Sequence, residues 1–517
     1  MSHADDLAAA ADQLFALGRK RSGLSLLRVI LDDGHPDSAR TRCCLERARD
    51  HADLDLALAA TRQLVRQLRR SGPLTPAVER ELARLEGDDL YGLVLLEEAA
   101  GNGAADPVVP IPGRLLYILH HSRPYLTNGY ATRGHGIATG MREAGIDLVC
   151  LTRPGFPADV VKDLPQTIPP QDTIEGITYL RDLDPLRNGP HRSRTYLKDA
   201  ADRIERRLRE IRPQAVMVAS NYVAALPAVL AARRCGVPVA YEVRGFWEVT
   251  QVSHNPAHEA SLSYQMQKAL ESRTAALCDH VFTLASPMRD ELVRRGVAPH
   301  RISLLPNSCD PGHFRPAPRA EDLARAWNIP ADVPVIGYIG SFVQYEGLDD
   351  LTRACARLRR DGHRFRLALV GGKAGPVESG IEAIAREQGL SDWVIAPGRV
   401  PHEEVDAWYS LIDIAPFPRK PQPVTELVTP LKPLEAMAME KAVVMSSVRA
   451  MAEMVDDGQT GLVFEKGNPD DLAAKLALLL TDGDLRRRIG RNARRHVQTE
   501  RTWRRMGDHV RTWMEQL

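Results

Sequence analysis

The chain has 517 residues, of which 44% are hydrophobic and 26% charged, a composition typical of a globular protein with about three domains. Its formal net charge of +1 gives no global field that would favour nucleic acid, so no nucleic-acid partner is expected. The seven cysteines lack metal-type spacing, and neither a signal sequence nor a long apolar run is evident. We therefore expect a cytoplasmic protein; peripheral contact with the inner face of the membrane stays open.

Residues 1–106 show only helical periodicity and are expected to form an all-α, repeat-like domain of helical hairpins. Thr75 followed by Pro76 predicts the start of one helix. The first apolar face is predicted to comprise Leu7, Ala11, Leu14 and Leu17. Composition predicts a linker at 101–113. We expect this domain to serve acceptor docking, oligomerisation or membrane contact; the alternative is that its helices complete the core of the next domain.

From residue 114 onward, short apolar runs alternate with amphipathic helices. Runs occur at 115–120, 147–152, 215–220, 237–243, 280–285 and 302–307, and again at 335–340, 365–372, 392–398, 412–418 and 441–447. Apolar strands separated by helices indicate parallel sheets covered on both faces. The predicted fold class is α/β, with Rossmann-like domains at 107–316 and 317–495 and a final helix at 496–517 that crosses back. Ligands are expected in the cleft between the two sheets.

The segment 428–444 carries the most specific chemistry. It reads as a tight loop, a helix opened by Pro433 with Glu435 in its first turn, and a buried strand. Backbone amides at such a helix start favour a diphosphate, and an ionised glutamate suits a pair of ribose hydroxyls. Lys432 adds a point charge for phosphate. The competing interpretation is that Glu435 only balances the helix N-terminus.

This segment resembles the donor-domain signature of the retaining glycosyltransferases of family four, which have the GT-B fold. The resemblance covers roughly residues 114–517 and places the ribose-binding glutamate at Glu435. The family's first glutamate, eight positions earlier, would be catalytic. Leu427 stands there, so Glu426, one residue away, is the candidate. The alternative is that the amides of residues 429–433 and Lys432 serve where relatives use that carboxylate.

The resemblance also implies the remaining donor contacts. Relatives carry two phosphate-binding cations after a glycine, where this chain has Gly340 followed by Ser341 and, further on, Glu346. The missing charge is expected from Lys432, Arg419 or Lys420, although solvated loop charges are an alternative for the last two. The other expected donor-binding residues are Thr429, Leu431, Arg399 and Val400.

On the amino-terminal side, the segment 120–145 resembles the family's first loop and helix. Asn128 and Gly129 form a turn where the backbone would approach the sugar and diphosphate. His135 and Arg244 are the expected catalytic side chains of this wall, with a helix-terminus histidine as the alternative for His135. Arg244 stands where many relatives carry a histidine, and a buried arginine at a strand end favours an anionic neighbour.

The family implies a metal-independent transfer from a nucleotide-diphosphate sugar with retained anomeric configuration. The acceptor would be a glycan, lipid-linked, protein or small molecule in polysaccharide, glycolipid or glycoconjugate synthesis. Three alternatives stay open. They are a metal-dependent transferase using Asp182 and Asp184, a sugar-nucleotide epimerase or phosphorylase of the same fold, and a helical adaptor fused to a degenerate transferase.

Overall fold

The computed structural model describes residues 3–32, 37–70, 75–86, 89–101, 106–184, 196–372 and 376–517, so residues 102–105 of the expected linker lie outside it. The described part of the first hundred residues is helical. Its helices are α1 (His3–Ala16), α2 (Lys20–Asp32), α3 (Ser38–Asp50), α4 (Leu54–Arg70), α5 (Pro76–Glu86) and α6 (Asp89–Gly101). Thr75 caps α5, since its hydroxyl accepts a hydrogen bond from the Val78 amide at 3.4 Å. Leu17, expected on the buried face of α1, is instead exposed beyond the end of that helix.

The next part of the chain forms an eight-stranded sheet with helices on both faces. Its elements are β1 (Ile111–Leu119), α7 (Gly129–Glu143), β2 (Asp147–Thr152), β3 (Gln171–Ile174), β4 (Ile177–Leu180), α8 (Tyr196–Ile211), β5 (Pro213–Ala219), α9 (Tyr222–Cys235), β6 (Val239–Val243), α10 (Trp247–His254), α11 (Leu262–Leu277), β7 (His280–Thr283), α12 (Ser286–Arg294) and β8 (Ile302–Leu304). The strand order is β3-β4-β2-β1-β5-β6-β7-β8. Among the described strands of this sheet, only the hairpin β3–β4 is antiparallel, and the apolar runs do not predict it.

A second, six-stranded parallel sheet follows. Its elements are α13 (Glu321–Ala326), β9 (Val335–Gly340), α14 (Leu348–Arg360), β10 (Arg366–Gly371), α15 (Pro376–Glu387), β11 (Val394–Gly398), α16 (Val405–Leu411), β12 (Ile414–Phe417), α17 (Pro423–Leu427), α18 (Lys432–Ala438), β13 (Ala442–Ser446), α19 (Arg449–Ala452), β14 (Leu462–Phe464), α20 (Pro469–Thr481), α21 (Gly483–Glu500) and α22 (Trp503–Met514). The strand order is β11-β10-β9-β12-β13-β14. The predicted pair of parallel-sheet domains is confirmed.

Each sheet reverses its strand order at one point. The loops near these points approach each other, since a Cβ on Gly245 after β6 would lie 3.5 Å from Val428 after β12. In the first sheet the reversal lies between β1 and β5, and in the second it lies between β9 and β12. Loops diverge to opposite faces of a sheet at such a point, which leaves a crevice at the carboxyl ends of the strands. The cleft between the domains therefore opens where β1, β5 and β6 face β9 and β12.

The chain crosses between the two domains twice, and the crossings lie side by side. The amide of Cys309, on the outgoing connection, donates to the carbonyl of Arg501 on the return connection at 3.0 Å. After the return, α22 packs on α7 of the first domain. This helix crossing needs a glycine on each helix. A Cβ on Gly140 of α7 would lie 1.9 Å from the carbonyl oxygen of Trp503, and a Cβ on Gly507 of α22 would lie 2.0 Å from the carbonyl oxygen of Gly140.

The amino-terminal helices pack against the helical layer of the first sheet. Leu93 and Val94 of α6 share one apolar core with Leu226 of α9 and Leu270 of α11. This contact covers the outer face of α9 and α11. It is the contact required by the alternative in which the amino-terminal helices complete the core of the next domain. The domain boundary at residue 106 stays a prediction. Within the described ranges, no helix combines the length and apolarity needed to cross a bilayer.

The buried carboxyl of Glu271 predicts a pH-dependent stability. It accepts hydrogen bonds from the Tyr241 hydroxyl and, at 3.0 Å, from the Tyr222 amide. Burial, reinforced by the negative charge of Glu248, raises the pKa of Glu271 from 4.5 to about 8. A raised folded-state pKa contributes stability that is complete below the unfolded value and is lost as pH rises to the folded value.

Between about pH 5 and about pH 8, ionisation of Glu271 should lower the free energy of unfolding of the wild type by about 1.4 kcal/mol per pH unit. We expect Glu271→Gln to abolish this contribution, because glutamine hydrogen-bonds without ionising. Urea unfolding across this range measures the slope. The exposed Glu259, changed to Gln, is the matched control. Identical slopes in the two variants would contradict the assignment.

Candidate active site between the two sheets

The first wall of the cleft is organised around the carboxylate of Glu242 on β6, which is 0% exposed. It accepts hydrogen bonds from Arg133 Nε and Arg244 Nη2, each at 2.8 Å, and from the Tyr117 hydroxyl at 2.6 Å. Burial alone would raise the pKa of Glu242, but the two arginines outweigh it and hold this pKa below its ordinary value. Glu242 is therefore an ionised anion shared by two buried cations.

Arg244, expected as a catalytic residue, lies at the end of β6 and is 6% exposed. The anion that it faces here is Glu242. Its Nη1 donates to the Tyr130 carbonyl at 2.9 Å, and its guanidinium lies 4.5 Å from the centroid of the Tyr130 ring. The arginine thus supports Tyr130, which is half-buried beside the cleft. Direct contact between Arg244 and a ligand stays a prediction.

His135, the other residue of this wall with an expected catalytic role, points away from Arg244. It follows Arg133 by two positions on α7, and a helix turns about 200° over that step. Its ring nitrogens contact the Tyr179 hydroxyl at 2.6 Å and the Glu175 carboxylate at 2.9 Å. Burial lowers the pKa of His135 despite that carboxylate. The contacts of His135 among the described residues support a structural role against the β3–β4 hairpin.

The start of α7 faces the second wall directly. Asn128 caps this helix, accepting a hydrogen bond from the Ala131 amide at 3.0 Å. A Cβ on Gly129 would lie 3.9 Å from the Cδ1 atom of Leu431 in the second domain. The structure therefore brings three expected donor-binding residues together across the cleft.

On the second wall, Glu435 and Lys432 contact each other. Lys432 Nζ donates to Glu435 Oε2 at 3.0 Å, and the Tyr409 hydroxyl lies 3.5 Å from the same oxygen. Glu435 is 7% exposed, whereas the Lys432 side chain is 36% exposed. The lysine thus already has a counter-ion, so phosphate would have to share it with Glu435.

We call residues 428–432 the donor loop. Two successive backbone carbonyls of this loop accept hydrogen bonds from side chains. The Val428 carbonyl accepts from Arg419 Nη1 at 3.0 Å, and the Thr429 carbonyl accepts from Asn307 Nδ2 at 2.8 Å. In a trans peptide the N–H points opposite to the carbonyl of the same plane, so the Thr429 amide points away from Arg419.

The amides of Thr429, Leu431 and Lys432 have no hydrogen-bond partner among the described residues. Pro430 between them has no amide hydrogen, so three donors remain over this stretch. Successive free backbone donors of this kind can bind an anion.

Glu346 and Arg419 form a buried ion pair behind the donor loop. Arg419 Nε and Nη2 donate to the two carboxylate oxygens at 3.1 and 2.6 Å. Gly347 permits this approach: its φ is 74°, and a Cβ there would lie 1.9 Å from the Pro418 carbonyl. The alternative of a solvated loop charge is wrong for Arg419, which is buried.

The remaining donor candidates lie along the carboxyl edge of the second sheet. Gly340 ends β9, and Ser341 after it is exposed. Arg399 Nε donates to the Gly372 carbonyl at 2.9 Å, and Val400 beside it is half-buried. Arg399 makes no ion pair within the part of the chain that the structure describes, whereas Lys420 lies 2.6 Å from the carboxylate of Asp349.

Glu426, the candidate for the family's first glutamate, has both carboxylate oxygens occupied. One accepts from Lys466 Nζ at 2.6 Å, and the other accepts from the Arg449 amide at 2.8 Å. These contacts hold the start of α19 against the loop after β14. A catalytic role for Glu426 stays a prediction that these contacts do not support.

The aspartates of the metal-dependent alternative lie on the first domain. Asp182 accepts from Arg203 Nη1 at 2.8 Å, and the same nitrogen donates to the Asp184 carbonyl at 2.9 Å. Across the described ranges, no group of three His, Cys, Asp or Glu side chains is placed to hold a metal ion.

Sequence reasoning missed three connected residues: Tyr117, Glu242 and Asn307. A glutamate inside the apolar run at 237–243 was a usable signal, because charged residues are rarely fully buried without a partner. Asn307 gave no such signal, since an asparagine after a strand is ordinary.

We expect Glu242→Gln to lower the free energy of unfolding by about 3–5 kcal/mol, because it leaves two buried arginines without an anion. The exposed Glu210, which pairs with Arg207 at the surface, is the control, and its change to Gln should cost under about 1 kcal/mol. Urea unfolding measures both variants. Equal losses would show that the Glu242 network does not carry this stability.

Two family models match the chain. The Glycosyl transferase 4-like domain matches residues 128–308, and Glycosyl transferases group 1 matches residues 320–496. Together they cover more than two thirds of the sequence.

Similar curated proteins include two glycosyltransferases. Alpha-D-kanosaminyltransferase of Streptomyces kanamyceticus is 26% identical over 268 residues, which is 51% of this chain and 67% of that protein. D-inositol 3-phosphate glycosyltransferase of Nocardia farcinica is 31% identical over 205 residues, which is 38% of this chain and 44% of that protein. The chain thus spans about half to two thirds of the length of these relatives.

Solved structures share the fold. Sucrose-phosphate synthase from Thermosynechococcus elongatus aligns with a TM-score of 0.62 at 20% identity, covering 78% of this chain and 98% of the other. HepE of Anabaena, solved in complex with UDP, aligns with a TM-score of 0.60 at 14% identity, covering 78% of this chain and 100% of the other. With both family models matched on successive domains of this architecture, the chain belongs to the group 1, family-four-like glycosyltransferases of the GT-B fold.

Proposed function

We propose that this protein transfers a sugar from a nucleotide-diphosphate sugar to an acceptor, with retention of anomeric configuration. The observation that carries the proposal is the donor loop, whose free amides lie between the start of α7 and the carboxylate of Glu435. Relatives named as kanosaminyl and inositol-phosphate transferases support the reaction class. HepE, solved with UDP and with UDP-glucose, supports a nucleotide-sugar donor.

In this proposal different groups of the second wall bind the ribose and the diphosphate of the donor. The carboxylate of Glu435 accepts hydrogen bonds from the two ribose hydroxyls. The amides of the donor loop, with Lys432 and Arg399, hold the diphosphate. Arg419 does not contact phosphate, because Glu346 occupies its fork; it fixes the Val428 carbonyl instead.

The reaction then proceeds on one face of the sugar. The acceptor oxygen forms a bond to the anomeric carbon while the bond from that carbon to the diphosphate oxygen breaks. The proton of the acceptor passes to the departing diphosphate oxygen. The charge that develops on this oxygen is stabilised by donors already in place, which is the electrostatic contribution that the loop amides supply. Amides and cations fill this role without a metal ion.

The first wall, around Tyr130 and Arg244, would receive the acceptor. We infer an acceptor used in polysaccharide, glycolipid or glycoconjugate synthesis. Residues 1–106 would contribute acceptor docking, self-association or contact with the inner face of the membrane, and the reaction would take place in the cytoplasm.

A panel of nucleotide-sugars tests the function. A bound donor at about 100 times its dissociation constant should stabilise the protein by about 2.7 kcal/mol, measurable by thermal shift. Slow release of nucleotide without acceptor marks a transferase, and NMR of the transferred sugar gives its configuration. Conversion of the donor without nucleotide release would indicate an epimerase; absence of binding and turnover with every donor would favour the adaptor.

We expect Glu435→Gln to weaken binding of the identified donor by about 1.5–3 kcal/mol, because it removes a charged acceptor of ribose hydrogen bonds. Titration calorimetry measures the loss. Glu440, exposed just beyond the same helix, offers the matched change to Gln. Unchanged affinity in folded Glu435→Gln would remove Glu435 from the donor site.

We expect Lys432→Met to weaken binding of the nucleoside diphosphate about tenfold and to leave the bare nucleoside nearly unaffected, because only the diphosphate carries charge for Lys432 to attract. Competition titrations of the two ligands give the comparison. An equal loss for both ligands would assign Lys432 to the support of Glu435 alone.

A further inference from the structure

Asn307 links the two domains at the point where the chain leaves the first sheet. It is 5% exposed and follows β8 by three residues. Its Nδ2 donates to the Thr429 carbonyl at 2.8 Å and lies 3.1 Å from the Thr429 hydroxyl. We call this pair of contacts the Asn307 latch. The latch ties the donor loop of the second domain to the first domain.

The orientation of the Asn307 amide is fixed by Arg133. Arg133 Nη1 donates to Asn307 Oδ1 at 2.9 Å. The same guanidinium donates to the Leu305 carbonyl at 2.7 Å and to Glu242 at 2.8 Å, so it has little freedom to move. A flipped amide would place its NH₂ group against this guanidinium, where both groups are donors. Asn307 therefore presents its donor to Thr429.

Val428 of the donor loop packs against the apolar core of the first domain, but the side of the loop at Thr429 borders a void. Asn307 and Thr429 both line a small cavity between the domains, whose other walls include Leu284 and Met454. Atoms that border a void lose contacts on that side. At Thr429 the hydrogen bonds of the latch therefore add to the packing of Val428 in holding the loop against the first domain.

The two carbonyls of the donor loop are thus held from opposite domains. Arg419 of the second domain holds the Val428 carbonyl, and Asn307 holds the Thr429 carbonyl. The first contact lies within the second domain, whereas the second joins the two domains and so depends on how they sit relative to each other. With both carbonyls held, the orientation of the loop and of its free amides is fixed in this arrangement.

We propose that Asn307 is a positioning residue that fixes the donor loop to the first domain and thereby couples donor affinity to closure of the cleft. The donor-affinity part rests on the proposed function, whereas the fixing of the loop does not. The coupling is reciprocal. If closure of the cleft strengthens donor binding by a given free energy, donor binding stabilises the closed form by the same free energy.

The test uses Asn307→Asp in the full-length protein. Aspartate has nearly the same shape and still accepts from Arg133, so the contacts within the first domain survive. It lacks the NH₂ donor and places a second oxygen against the Thr429 carbonyl. Thr429→Val, which removes only the hydroxyl acceptor, is a milder second variant. Asn492→Asp is the matched control, because Asn492 likewise donates to a carbonyl, that of Gln459, but within the second domain.

Hydrogen exchange without ligand reports on the latch itself. Peptides covering residues 423–438 include the hydrogen-bonded amides of Val428 and Leu434. Asn307→Asp should speed their exchange by about tenfold and Thr429→Val by less, whereas Asn492→Asp should leave it unchanged. Equal exchange in wild type and Asn307→Asp would overturn the proposal.

Calorimetry with UDP as the probe reports the coupling. Asn307→Asp should bind UDP about tenfold more weakly than wild type, whereas Asn492→Asp should bind it as wild type does. Unchanged affinity together with faster exchange would overturn the coupling and leave Asn307 a purely structural tie. If wild type binds none of a set of nucleoside diphosphates, the proposed function fails, and the exchange measurement still decides the latch.

Discussion

One buried carboxylate organises the first wall of the cleft. Glu242 lies on a central strand and neutralises Arg133 and Arg244, which no other described acid contacts within ion-pair distance. Two arginines placed in an apolar interior without it would each carry a large desolvation cost. With it, one arginine is directed toward Tyr130 at the cleft and the other toward the interdomain connection. The positions of both arginines depend on this single buried side chain.

On the second wall, cations near the expected donor site are paired with carboxylates of the same domain. Relatives are expected to carry free cations for phosphate, whereas here Arg419, Lys420 and Lys432 each contact a carboxylate of the same domain. Glu346 in place of a cation thus does not leave an unpaired charge, because Arg419 pairs with it. A diphosphate bound as proposed would rest more on oriented amides than on free positive charge. Such a site is less sensitive to salt than one built from exposed lysines.

The sequence predicts the sheets better than the site. The apolar runs at 147–152 and 335–340 have the bounds of β2 and β9, because a strand buried on both faces is continuously apolar. The hairpin β3–β4 escapes prediction, since its strands have four residues each and are partly exposed. In the site, Glu435 and Lys432 stand three residues apart and are readable as a local motif. The contacts of Arg133 with Glu242 and Asn307 join residues more than a hundred positions apart, which no periodicity encodes.

The paired crossings between the domains have a consequence for how the cleft moves. Where Cys309 bonds to Arg501, the second domain is attached to the first at two neighbouring points on the backbone. A body held at two points can rotate about the line that joins them, but it does not tumble about a single pivot. Two neighbouring crossings restrict the relative orientations of the domains more than a single linker would. That restriction keeps Thr429 near Asn307, which stands two residues before the crossing at Cys309.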